Sequence, residues 1–528
     1  MKNIFCILFS IISISSFGQD IDINIQTGDF YRDKMINTTL SFSESDNNGG
    51  IIAVRNAEAT LTSNPYPKEY FIEHYDKNLK LIKEITITND NMSQFKGLMI
   101  KNGKINLIEF EYDKENMRIN VNILESNIDD LKFEKKLLIS LNQDNFKAYF
   151  GSSGLDFLNN EFKFINKNPI GHIIFSEKKE FFTIQFDHIE KKNNVHYFLV
   201  YNSNFEKEYE VKHWNKNQYT DFNNIKLSDY DGTLFFLQKV FENNSQRTEK
   251  NGKTNYHYEL FKYNALANTQ INIKEDTKFI SSLFILPKIN DVSLVGFYSS
   301  KDDSYIEGIC HYNINLNDLK TKEKSFEPLS KQFFIDKYKK GISEKSKKLR
   351  NIKVINLIID KAENIIISAE EYTLENPNLD TQNNTLNKNT SYSEFLKEAN
   401  HHYDDILSIK INNEGKIIWS RNINKAQTGI KKSSYISTYQ NGNAYYFING
   451  NLKKLKNDRI VFLQSGLSKS DLYLISIDDN GFKYKKIMDD NKSNIWYDLR
   501  NGVISKDRKS IILQGIKKRS KQIIKIDI

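Results

Sequence analysis

The chain repeats a unit in which an alternating apolar strand meets a short turn containing Asn or Asp and continues into a second alternating strand rich in Lys and Glu. Alternation places successive side chains on opposite faces of a sheet, so each unit predicts a half-buried hairpin. Seven units are clear: Tyr70 to Ile87, and those beginning at Ile105, Val195, Tyr256, Tyr305, Asp405 and Asp471. In each, an aromatic residue or Ile precedes the Asx residue, as in Tyr75-Asp76, Tyr201-Asn202 and Ile477-Asp478. An Asx side chain bonds the backbone two residues on and tolerates left-handed dihedrals. Gly171 to Ile189 and Asn356 to Leu374 have the same strand, turn, strand form just before the units at Val195 and Asp405. Together each pair of hairpins makes four antiparallel strands, the size of a blade. The predicted fold is all-β: a β-propeller of seven or eight irregular four-stranded blades.

Two segments depart from this pattern. Within 328–350, Phe333, Phe334 and Tyr338 stand at helical spacing and predict a helical insertion. Residues 376–400 are poor in apolar side chains and rich in Asn and Thr, as expected of a long flexible loop between strands. Neither reads as a linker, so residues 19–528 are expected to form a single propeller-like domain. A strand from the N-terminal segment, near Ile51 to Val54, is expected to complete the ring and remove its free edges.

Two resemblances follow from particular residues. The final stretch carries Ser505-Lys506-Asp507-Arg508 before an apolar strand. It resembles the Ser-Pro-Asp-Gly-Lys strand motif of TolB-like and WD40-like propellers, with Lys506 and Arg508 in place of Pro and Gly. The block at 356–450 has Ala369-Glu370-x-Tyr372, Tyr403-x-Asp405-Ile406, Gly415-Lys416-x-x-Trp419 and Gln427. It resembles an uncharacterised family of secreted β-propeller-like proteins of Bacteroidetes. That resemblance implies export and a propeller, and no activity.

The first eighteen residues change the picture of where the protein works. Lys2 precedes an apolar run from Ile4 to Ile14, and the small Ser16 and Gly18 suit cleavage before Gln19. Residues 1–18 therefore read as a signal peptide, and the destination as the periplasm or the exterior, with envelope association left open. No later window offers about eighteen apolar residues in a row, so no transmembrane segment is expected. Of two cysteines, Cys6 leaves with the signal and Cys310 keeps no intrachain partner, so the fold must rest on its core.

The 75 basic and 67 acidic side chains leave a formal charge of +8, a small and dispersed excess. The runs Lys345 to Arg350 and Lys517 to Lys521 have no interleaved aromatics for stacking bases, so no nucleic-acid partner is expected. Protein and glycan remain open as partners, and the oligomeric state is unknown.

Local chemistry is sparse. His401-His402-Tyr403-Asp404-Asp405 contains metal-binding side-chain types, but only alternate members of a strand share a face. His74, His172, His188, His196, His213, His257 and His311 lie in strands, several beside aromatic residues, where a packed imidazole is the ordinary role. Cys310 beside His311 diverges from it along the strand. Ser228-Asp229-Tyr230-Asp231-Gly232-Thr233 fits neither the sialidase Asp-box nor an EF-hand loop, and reads as an Asp-Gly turn. No G-x-S-x-G occurs. No catalytic set is assigned, and no cofactor or metal is expected. The function that follows is an exported non-catalytic binding or interaction platform. The alternatives are a propeller-type glycoside hydrolase or lyase, and a cell-envelope or secretion-machinery component.

Overall fold

The computed structural model describes residues 21–528 except 33–37, 58–66, 90–91, 143–170, 191–192, 215–219, 244, 246–247, 251, 302–304, 340–348, 376–378, 381–384, 387–399, 430–434, 456–458 and 466–469. The signal reading at 1–18 and most of the loop at 376–400 lie outside these residues. Within 376–400 the structure describes a short pairing of Leu379–Asp380 with Thr385–Leu386. The helix expected in 328–350 spans Lys331–Tyr338, capped by the Ser330 side chain, which accepts from the Phe333 N–H.

Eight four-stranded antiparallel blades follow one another among the described residues. Blade 1 spans 38–88, blade 2 92–142, blade 3 172–214, blade 4 220–273, blade 5 279–328, blade 6 352–423 and blade 7 435–488. Blade 8 takes three strands from the C-terminal region, Trp496–Ile504, Ser510–Lys517 and Ser520–Asp527, and a fourth from Asn24–Thr27. The ring is thus closed by Asn24–Thr27 pairing with the last strand, with Asn24 opposite Asp527. Ile51–Ala57, expected to do this, is instead the second strand of blade 1. Its alternation is apolar on both sides, which suits a strand covered by a blade on each face rather than an outermost strand.

Eight apolar clusters fill the eight gaps between successive blades. Period-two alternation sends neighbouring residues to different gaps. Ile52 and Val54 pack towards blade 2, whereas Ile51 and Ala53 pack towards blade 8. Outermost strands need only one apolar face, so Leu81–Thr88 alternates exposed with half-buried positions. Six of the hairpin units are the outer pair of a blade, but that beginning at Ile105 is the middle pair of blade 2, whose outermost strand is Glu134–Asn142.

Six innermost strands carry a register irregularity, between Leu40 and Phe42, Phe95 and Gly97, Phe222 and Asn224, Ile280 and Ser282, Val354 and Asn356, and Asp498 and Val503. Bulges bend and twist a strand and re-aim one side chain. In blade 5 the bent strand lies so close to its neighbour that a Cβ on Gly296 would fall 1.7 Å from the Ser282 carbonyl oxygen. Gly296→Ala must displace this backbone, and a loss of about 3 kcal/mol is expected. A urea titration checks it; an unchanged midpoint would mean that the bulge is not there.

Candidate functional site

Every described connection at one face of the ring, those after the first and third strands of each blade, runs two to six residues. The long connections therefore fall on the opposite face, and the longest of them that are described cluster around blades 5 to 7. There Lys425–Gly429 pairs with His401–Tyr403 of blade 6 and, in parallel, with Ile460–Ser465, which pairs with Asn451–Lys454 of blade 7. Blades 6 and 7 thereby share one continuous sheet beyond their own edges.

A buried ionic network holds this bridge. Lys425 and Glu370 have side chains 0% exposed, and the ammonium donates to Glu370 Oε1 at 2.5 Å. It also donates to the Tyr403 carbonyl at 2.8 Å and Gln427 Oε1 at 3.2 Å. Asp405 accepts the Lys425 N–H at 3.0 Å, Lys337 Nζ from the helix at 2.7 Å and Asn422 Nδ2 at 3.1 Å. Burial pushes the Glu370 carboxyl up and the Lys425 ammonium down. Four of the residues that carry the resemblance at 356–450 converge here, Glu370, Tyr403, Asp405 and Gln427 on Lys425, with Tyr372 bonded to His401 at 2.8 Å. With its ion pair wholly enclosed, this cluster is a joint between blades rather than a place for a substrate.

The His401 to Asp405 run divides as alternation requires. His401, Tyr403 and Asp405 are buried, while His402 and Asp404 are half-buried. Three histidines are enclosed and neutral. Burial lowers His213, His311 and His401 to about 4. His213 lies 4.3 Å from the Phe236 ring centroid and 2.7 Å from the Tyr263 hydroxyl. Burial raises the Cys310 thiol far above its ordinary range, so it packs as an apolar group. Ser228 to Thr233 is the turn after the first strand of blade 4, with Asp231 accepting the Thr233 N–H. No group of three or more metal-ligating side chains occurs among the described residues.

At the short-turn face, the turns after the innermost strands ring the channel axis. In blade 3 that turn holds Glu177 and Lys179, and in blade 8 it holds Lys506 and Arg508. Lys179 and Arg508 adopt left-handed φ values of 58° and 60°. This is the conformation for which the strand motif at 505–508 ordinarily uses Gly, and a long side chain there carries a steric cost. Both residues spend it on contacts between blades that are not neighbours. Arg508 Nη2 of blade 8 meets Glu177 Oε1 of blade 3 at 2.5 Å, although blades 1 and 2 lie between them. Lys179 of blade 3 pairs with Glu44 of blade 1 and donates to the Leu98 carbonyl of blade 2 at 3.0 Å. In a closed ring such contacts can only cross the channel mouth. The sequence signal was present, since Lys506 and Arg508 replace the motif's Pro and Gly, but their partners stand hundreds of residues away.

No family model and no curated protein sequence matches the chain. Solved structures do. Prolyl oligopeptidase B from Galerina marginata is similar at a TM-score of 0.40 and 8% identity, over 92% of this chain and 55% of that one. The acylaminoacyl peptidase of Pyrococcus horikoshii is similar at 0.35 and 9%, over 91% and 57%. The propeller domain of the Trilobed protease of Pyrococcus furiosus, described as having an open velcro topology, is similar at 0.33 and 9%, over 86% and 96%. The chain spans about half the length of the two peptidases. These findings correct the expected function. All three similar structures belong to peptidases, so neither a non-catalytic platform nor its carbohydrate-active and envelope alternatives follows from the propeller.

Proposed function

We propose that the chain is the substrate-admitting propeller of a peptide-processing system, taking an extended peptide through a channel mouth latched by ion pairs. The observation that carries this reading is the Arg508 to Glu177 contact between non-neighbouring blades. An aperture spanned by two side chains passes an extended chain, about 10 Å across with its side chains, and rejects a folded domain. Ion pairs at a solvated mouth are weak enough to open: the Glu177 side chain is 58% exposed, where such contacts contribute little. Peptides are the substrates of the similar peptidases, and that class comes to this chain only within the proposal.

A photoreactive decapeptide tests it. Crosslinks are expected on Met92–Lys101 and His172–Phe175. They should vanish when Arg508 and Glu177 are both replaced by Cys and bridged with a bis-maleimide. The burial of Cys310 keeps it out of that reaction. Crosslinks confined to outermost strands, or surviving the bridge, would overturn the reading.

On the same proposal this protein works outside the cytoplasm, among relatives of the secreted Bacteroidetes propellers. What supports it is Lys2, the run Ile4 to Ile14 and the small residues before Gln19. N-terminal sequencing of the native protein is expected to begin at Gln19, and retention of Met1 to Gly18 would count against it.

A further inference from the structure

Three cations near the channel mouth have no carboxylate of their own. Lys96 is the residue bulged from the innermost strand of blade 2, between Phe95 and Gly97. Lys226 stands at the mouth end of the innermost strand of blade 4, within reach of the charges on Glu177 and Arg508. Lys506 precedes Arg508 in the turn of blade 8 and bears on Lys179. Among the described residues, no hydrogen bond or ion pair engages the ammonium of any of them.

These groups belong to one neighbourhood. Lys179 Nζ bonds the carbonyl of Leu98, two residues beyond Lys96, and lies 5.2 Å from the Phe175 ring centroid. The same ring packs against Gly97, where a Cβ would fall 2.6 Å from Phe175 Cζ. The carboxylates at hand are engaged. Glu44 and Glu177 hold Lys179 and Arg508. Asp229 accepts the Lys178 N–H, and Asp507 accepts from Ser505 and Lys509 within its own turn. Five cations, Lys96, Lys179, Lys226, Lys506 and Arg508, thus stand with these four carboxylates, two of which are paired with Lys179 and Arg508 and two of which are held by neutral donors. Burial drives Lys96 and Lys179 down to about 8, with the charge of Lys506 adding to the effect on Lys179. An arriving anion would relieve this unfavourable state.

We infer that the channel mouth binds the carboxylates of an acidic peptide, through Lys96, Lys226 and Lys506, with Arg508 released from Glu177 to join them. The inference rests on the peptide-admitting reading and names its substrate class. Carboxylate and phosphate oxygens share this chemistry. The Phe175 ring is taken up by Gly97 and Lys179 and offers no free face to a base, and a nucleic-acid strand is an outcome that the octathymidylate arm below tests.

The experiment is fluorescence anisotropy with a labelled octaglutamate, and with octaserine, inorganic phosphate and octathymidylate as the other arms. Octaglutamate is expected to bind with marked salt dependence and octaserine not to bind. Lys96→Met/Lys226→Gln/Lys506→Gln should weaken octaglutamate at least tenfold while leaving Tm unchanged. Glu177→Gln, which frees Arg508, should tighten it several-fold. Equal binding by the triple variant, tighter binding of octathymidylate, or phosphate displacing octaglutamate at equal concentration would each overturn the acidic-peptide assignment. Crosslinking of a neutral decapeptide in the channel would still stand in those cases, so the two readings fail separately.

Discussion

Lys425→Met should destabilise the protein by about 3–5 kcal/mol, because it strands the Glu370 carboxyl, uncompensated, in a fully enclosed site. Glu370 is 0% exposed, and one of its oxygens already lacks a hydrogen-bond partner. The Tyr403 carbonyl and Gln427 Oε1 lose a donor in the same step. Lys425→Met/Glu370→Leu removes both charges and should recover a large part of the loss, since a buried pair replaced by apolar side chains is often near neutral. Urea midpoints of the two variants measure this. A loss below about 1 kcal/mol for the single variant would show that the ion pair is not enclosed. The damage should be local to the bridge between blades 6 and 7, so hydrogen exchange at Lys425–Gly429 should rise before that of the other blades.

Acid should destabilise the protein well above the pH at which ordinary carboxylates protonate. His213, His311 and His401 are held near 4 against an ordinary value of about 6.5, so all three are neutral in the fold and protonated in the unfolded chain below that value. Their contribution is fully present above about pH 6.5 and is lost as pH falls towards 4. A shift of about 2.5 units corresponds to at most about 3 kcal/mol per histidine at the acid end. At pH 5 the three together should have lost up to about 6 kcal/mol relative to pH 7. The charges facing them are His196 and Glu259 for His213, Lys288 for His311, and His402 and Lys353 for His401. His213→Gln should lower the proton uptake on unfolding by about one between pH 7 and 5. A pH-independent midpoint over this range would refute the enclosed, neutral state of these rings.

The hairpin units show why the fold class was legible. A strand flanked by blades on both faces, such as Asp291–Ser299, is buried at every position after the first and mostly apolar, whereas an outer strand such as Leu81–Thr88 alternates, so strand order within a blade is written into local pattern. The turns were equally local. Asp76, Asn202, Asn412 and Asp478 each accept a backbone N–H two residues on. The place of a hairpin within its blade was not legible: the unit at Ile105 spans strands two and three of blade 2, and a hairpin has the same alternation wherever it sits. The closing strand was misplaced for a related reason: Asn24–Thr27 is four residues long and carries little pattern of its own.

By itself the sequence determined an all-β ring of irregular blades, its Asx turns, the helix near Phe333 and the residues of the 356–450 block that prove to surround Lys425. All of these depend on neighbours a few positions apart. Tertiary structure alone decided that the ring has eight blades, that Asn24–Thr27 closes it, and that Arg508 meets Glu177 across 331 positions of sequence. Ring closure sets which side chains face one another over the axis, and that geometry depends on the summed twist of every blade. No local periodicity encodes it, which is why the channel mouth, and the peptide-admitting role proposed for it, became visible only in three dimensions.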